Sequence, residues 1–212
     1  LKWFMEQVPG ICWTLDAGNF AYSSENLQEI MESVRPDLTI YTGAFDPNYR
    51  WMSEERETVR FTSDLMNVLV AYSTIRMGKF IFLSSHEVYE GYHENALTED
   101  IPPETTGYRG TTLIQAEEIC NNYRKNWKLD LLILRLDHLF CIPESAPEIH
   151  SVCARMCLES MRDGCICADS NHEFAMLYEQ DAVEFIFQIA KSREHKFYLY
   201  HLSSDSLGHA TL

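Results

Sequence analysis

No apolar run in this 212-residue chain approaches the roughly 20 residues that a membrane span requires. The longest, Leu129 to Leu136, is broken by Asp130 and Arg135 and stops at Asp137. The opening LKWFMEQVPG lacks the long apolar core and small-residue cleavage site of a signal peptide, which makes a cytoplasmic location the expectation. Basic residues are also scarce: 17 Lys and Arg face 32 Asp and Glu, for a net charge of -15. Such a balance repels phosphate backbones and anionic lipid, so nucleic acid and membrane are excluded as expected partners. It does not forbid an anionic cofactor or substrate, because arginines, backbone amides or a helix N-terminus set the potential inside a cleft.

Paired cysteine spacing is missing as well. The seven cysteines, at 12, 120, 141, 153, 157, 165 and 167, are odd in number and form no disulfide framework, so reduced thiols are expected. Cys153, Cys157, Cys165 and Cys167 crowd together, but without the C-x2-C spacing of zinc knuckles, and buried filler is the expected reading. His138, His150, His172 and His201 show no H-x-x-x-H or H-E-x-x-H pairing, so no metal site is predicted. There is no G-x-S-x-G elbow, internal repeat or low-complexity run.

What is present is an ordinary globular composition, 46% hydrophobic and 23% charged, in a length suited to one domain. Apolar runs alternate with amphipathic stretches, the pattern of parallel strands joined by crossover helices. Strands are predicted at Ile11–Leu15, Leu38–Thr42, Phe80–Ser84, Leu131–Leu136 and Phe197–Leu202. Between them, Ser24 is expected to cap a helix whose apolar stripe is Leu27, Ile30, Met31 and Val34, ending before Pro36. Further helices are predicted over 53–76, 111–127 and 179–191. The expected fold is α/β: a Rossmann-like, doubly wound, mainly parallel sheet in a single domain, 1–212, with a small C-terminal substrate-side lobe from roughly 139 to 176. Long loops after the strands, such as GYHENALTEDIPPETTGY, fall where α/β proteins place ligands.

In this order the pieces resemble the extended short-chain dehydrogenase/reductases, the NAD-dependent epimerase/dehydratase family of nucleotide-sugar enzymes. VRPDLTIYTGAF is similar to the family's strand and loop under the dinucleotide, and KFIFLSSHEVYEG to its next strand with SS-x-x-VYG. LTEDIPPETTGYRGTT is similar to the run carrying the catalytic tyrosine, LLILRLDHLFCIP to "ilR-x-x-x-vYGP", and HEFAMLYEQDAVEFIFQIA to a late segment with an acidic residue at Asp181. The resemblance implies NAD or NADP as cofactor, or none in this chain. It also implies a nucleotide sugar as ligand, and a homodimer built on helices 53–76 and 111–127. It assigns Ser85 and Tyr108 to catalysis, and Asp16, Thr42, Gly43 and Ala44 to the cofactor. Glu87, Arg135 and Asp181 fall to the substrate, the alternatives being a structural role for Glu87, a salt bridge to a carboxylate for Arg135 and a helix-start role for Asp181.

Oxidising a sugar hydroxyl needs a base for its proton, a donor to hold its oxygen, and a nicotinamide on the other side. A tyrosine is that base only when a cation stabilises its phenolate, and the family uses a lysine four residues on. Here Thr112 stands four residues after Tyr108, a shift of one puts Leu113 there, and no lysine occurs between Lys79 and Lys125. Arg109 lies about 100° around the helix from Tyr108 and is a poor substitute. Arg60 takes the place of the family's helix asparagine. No G-x-x-G-x-x-G or G-x-G-x-x-G cradle occurs in the sequence, and the first strand with its phosphate loop is expected upstream of Leu1. The expectation is a family member impaired or inactive in hydride transfer, with a non-catalytic sugar-nucleotide-binding or dimerising scaffold as the alternative.

Overall fold

Ser23 starts the first helix. Its backbone is extended (φ -90°, ψ 150°) and its Oγ accepts from the amide of Asn26, leaving Ser24 as the first residue of α1, Ser24–Val34. The cap therefore lies one residue before the serine predicted for it. The computed structural model describes residues 15, 22–43, 54–92, 98–140, 152–165, 173–174, 176–203 and 210–211. The predicted strand Ile11–Leu15 lies outside them except for Leu15, which is not in a strand.

The elements after α1 run β1 (Leu38–Tyr41), α2 (Glu54–Ile75), β2 (Lys79–Ser85), a 3-10 turn (His86–Tyr89) and α3 (Tyr108–Trp127). Then come β3 (Leu131–Leu136), β4 (His138–Phe140), α4 (Val152–Asp163), β5 (Glu173–Phe174), β6 (Met176–Tyr178), α5 (Glu179–Lys191), β7 (Leu199–Leu202) and β8 (Ala210–Thr211). Strands β1, β2, β3 and β7 form one sheet in that order, all parallel. β4 pairs with β6 in parallel, and β5 with β8 antiparallel. Of the predicted lobe at 139–176, the described parts are the end of β4, α4, β5 and the start of β6. There Cys157 and Cys165 are exposed thiols, while Cys167 lies outside the described residues.

The pleat sends alternate strand residues to opposite faces, and each face meets helices. Phe80, Phe82, Leu131 and Ile133 pack with Leu27 and Met31 of α1, Leu65, Leu69 and Tyr72 of α2, and Leu113 and Cys120 of α3. Ile81, Leu132, Leu134 and Leu136 pack with Ala182, Val183, Ile186 and Ile189 of α5. This is the doubly wound α/β arrangement, with a mainly parallel sheet between two helical layers.

Two junctions fix the register of layers on sheet. Gly78, between α2 and β2, has φ +70°, and a Cβ there would run into the backbone of Pro36 and Asp37. Lys79, the first residue of β2, is only 6% exposed. Its Nζ donates to the carbonyls of Ile189 (2.8 Å) and Ser192 (2.6 Å) and to His195 Nε2 (2.6 Å). A buried ammonium with three acceptors thereby ties the end of α5 to the sheet.

Candidate functional site

Parallel strands all point their C-terminal ends the same way, and the loops leaving them enclose the site. Thr42 and Gly43 follow β1, Ser84 and Ser85 end β2, and Leu136 ends β3 with Asp137 directly after it. Together with the 3-10 turn and the starts of α3 and α5 they line a cavity of about 500 Å3. Its walls are mostly apolar: Ile40, Leu83, Leu113, Leu139, Val183 and Ile186. Besides Thr42 and Ser84, its polar groups are Ser85, His86, Glu87, Arg109, Asp137, His138 and Glu179. Gly43 has φ +43°, and a Cβ there would meet the rings of Phe61 and Tyr41, so only glycine turns the chain at this point.

Ser85 Oγ caps the 3-10 turn, accepting from the amide of Glu87 at 3.3 Å, and lies 3.4 Å from His86 Nδ1. The pairing of Ser85 with Leu136 brings His86 beside the residues that follow β3, and its ring lies 3.9 Å from that of His138, centroid to centroid. Burial, then the neighbouring His138, pushes the His86 imidazole down to about 4. Burial also lowers His138, with Arg109 acting in the same sense.

Asp137 is 3% exposed, and its Oδ1 accepts from His201 Nε2 at 2.9 Å. Burial opposes ionisation of this carboxyl, but the hydrogen bond from His201 works against it, and Asp137 is held below the ordinary carboxylate range. Arg109 pairs with Glu87 at 3.0 Å. Burial raises the Glu87 carboxyl in spite of that arginine.

Residues 14–199 match the NAD dependent epimerase/dehydratase family. The chain belongs to that family. No curated protein sequence matches it. Among solved structures it is similar to dTDP-4-dehydrorhamnose reductase from Bacillus anthracis in complex with NADP, at TM-score 0.76 and 16% identity over 97% of this chain and 70% of that one. It is similar to L-threonine dehydrogenase from Clostridium difficile, at TM-score 0.74 and 15% identity over 86% of this chain and 59% of that one. UDP-N-acetylglucosamine 4-epimerase from Bacillus cereus gives TM-score 0.73 and 17% identity over 93% of this chain and 68% of that one. At these identities the likeness establishes the fold, and the chain spans 59% to 70% of the length of these three structures.

Of the residues assigned by resemblance to the epimerase/dehydratase family, Thr42, Gly43, Ser85 and Glu87 come together in the cavity lining. Asp16 and Ala44 lie outside the described residues. On the cofactor side of the site, Thr42 and Gly43 are therefore the described residues that could meet a dinucleotide. The three other assignments stand apart from the described lining. Tyr108 opens α3 with 54% of its surface exposed. Asp181 is exposed in the first turn of α5, where Glu179, Ala182 and Val183 face the cavity. Arg135 is 3% exposed and turned inward: its guanidinium binds both carboxylate oxygens of Glu117 and donates to the Tyr89 hydroxyl. Ser84 Oγ donates to the same Glu117 at 2.6 Å.

Asp137 and Glu179 drew no attention in the sequence, while His86, His138 and Arg109 carried no assigned site role there. The available signal was positional, since SSHE and LDH end adjacent parallel strands and must converge. α3 shows the same lesson. It begins at Tyr108, three residues before the predicted start, and turns Arg109 and Leu113 toward the cavity. Thr112 is buried at 1% exposure, donating to the Tyr108 carbonyl and sharing a 3.0 Å hydrogen bond with Thr58 of α2.

Proposed function

We propose that this chain is a nucleotide-sugar-binding member of its family that does not catalyse efficient hydride transfer. The observation that carries this reading is the cavity face of α3, which presents Arg109 and Leu113, one turn apart. The family's chemistry needs a phenol and an ammonium on one face of that helix. The cation that this face presents, Arg109, is paired with Glu87 at 3.0 Å, and Tyr108 stands outside the described lining. Ser85 remains available to hold a sugar hydroxyl, and Thr42 and Gly43 to meet NAD or NADP. The solved reductase and epimerase structures support the ligand class by analogy of fold.

Calorimetric titration with NAD, NADP and UDP-, dTDP-, GDP- and CDP-sugars tests the reading. Heat with a nucleotide sugar, without nucleotide-sugar-dependent NADH formation, is the expected result. Robust turnover abolished by Tyr108→Phe would overturn it. No heat with any of these ligands would leave the second reading, a dimerising scaffold, for which Val59, Met66 and Val70 are exposed along α2. On that reading Met66→Asp converts a homodimer to a monomer in sedimentation velocity.

A further inference from the structure

We propose that the cavity takes a ligand bearing a positively charged amine, seated against the carboxylate of Asp137. The inference names a ligand class for the site just described, and so rests on the reading that the cavity binds small molecules.

Asp137 follows β3 directly and is held from both sides: its amide donates to the Leu202 carbonyl at 3.2 Å and its Oδ1 takes the hydrogen bond from His201. Its other oxygen, Oδ2, is buried and has no hydrogen-bond partner among the described residues, although the residue lines the cavity. A buried carboxylate oxygen left without a donor costs free energy that a bound donor recovers. The charge around it selects the kind of donor. Arg109 is the one Lys or Arg among the described lining residues, and it is already paired with Glu87. His86 and His138 are both held toward their neutral forms by burial, and Glu179 adds a further carboxylate to the lining. With the Arg109–Glu87 pair cancelling, Asp137 and Glu179 leave the described lining negative, while the apolar walls keep the effective dielectric low and the attraction for a cation strong. An alcohol would satisfy Oδ2 as a donor without answering the charge; an ammonium does both. The ligand class is therefore an alkyl or sugar ammonium, such as a nucleotide-linked amino sugar with a free amine.

Two pairs of probes decide it. Hexylammonium and hexanol differ at one polar group and need no nucleotide site; UDP-glucosamine and UDP-glucose differ in the same way at one sugar position. In NMR titrations of the full chain, the ammonium of each pair is expected to bind at least tenfold more tightly than its alcohol partner, and Asp137→Asn to abolish that preference. Equal binding within both pairs on the wild type overturns the proposal, and this comparison stands even if Asp137→Asn fails to fold. Preference for the ammonium that survives Asp137→Asn in a folded variant overturns the assignment to Asp137. The outcomes also separate the two readings. Hexylammonium binding without any nucleotide-sugar binding supports the amine site and sinks the nucleotide-sugar reading, whereas equal, tight binding of UDP-glucosamine and UDP-glucose does the reverse.

Discussion

Thr112 and Leu113 are neighbours in sequence that answer to different surroundings, and a lysine placed at either one reports which face of α3 it occupies. At Thr112 an ammonium would be forced against α2, in place of a hydrogen bond to Thr58, at a site 1% exposed. A loss of about 3 kcal/mol or more in urea unfolding is expected for Thr112→Lys. Leu113→Lys gives up a buried leucine, for about 2 to 3 kcal/mol, but its stem can run into the cavity, so it should be the milder change. If the two variants rank the other way, the orientation of α3 is misread. The Arg135–Glu117 pair makes a separate case. Both side chains are buried, at 4% and 7% exposure. Removing one charge strands the other, so Arg135→Met should cost about 3 to 5 kcal/mol, and adding Glu117→Leu should recover part of that loss. A double variant less stable than the single one would argue against the pair as an isolated unit.

At the scale of elements, the turn between α2 and β2 depends on a residue that tolerates φ +70°, and Gly78→Ala is expected to destabilise by about 1 to 3 kcal/mol with β2 amides exchanging faster. Unchanged exchange in β2 would show that the turn relaxes freely. The helices and strands themselves were largely legible in the sequence. β3 and α5 fall on their predicted spans, 131–136 and 179–191, because continuous apolar runs and a 3.6-residue stripe leave little choice. Ends were less legible. α3 begins at Tyr108 because Gly107 adopts the extended N-cap conformation without any side-chain bond, so no capping serine or threonine marked the start. The site was legible only in part: Ser85 and Glu87 follow a recognisable strand, while Asp137, His138 and Arg109 gain meaning only from strands far apart in sequence lying side by side. Arg135 illustrates the converse, since nothing local in LLILRLDH says that its guanidinium turns inward to Glu117.

Across the whole molecule, the buried histidines couple stability to pH. His86 sits at about 4 in the folded protein against an ordinary value near 6.5, so the unfolded chain binds the extra proton first. The stability that a neutral His86 contributes is complete above pH 6.5 and is lost as pH falls from there toward about 4, by up to ~3 kcal/mol. The net charge of -15 works against this, because mild acid also relieves repulsion among carboxylates. Comparison of unfolding free energies at pH 7 and pH 4.5 for wild type and His86→Gln isolates the histidine. The wild type should lose more, and equal losses would remove His86 from the explanation.

Lys79 carries a consequence of another kind. With its ammonium enclosed by the carbonyls of Ile189 and Ser192 and the ring of His195, no acylating reagent reaches Nζ while α5 is seated on the sheet. The rate at which acetic anhydride labels Lys79, relative to an exposed lysine such as Lys128, is thus a clock for the detachment of α5. Since α5 also walls the cavity through Val183 and Ile186, a ligand that fills the cavity should slow that clock.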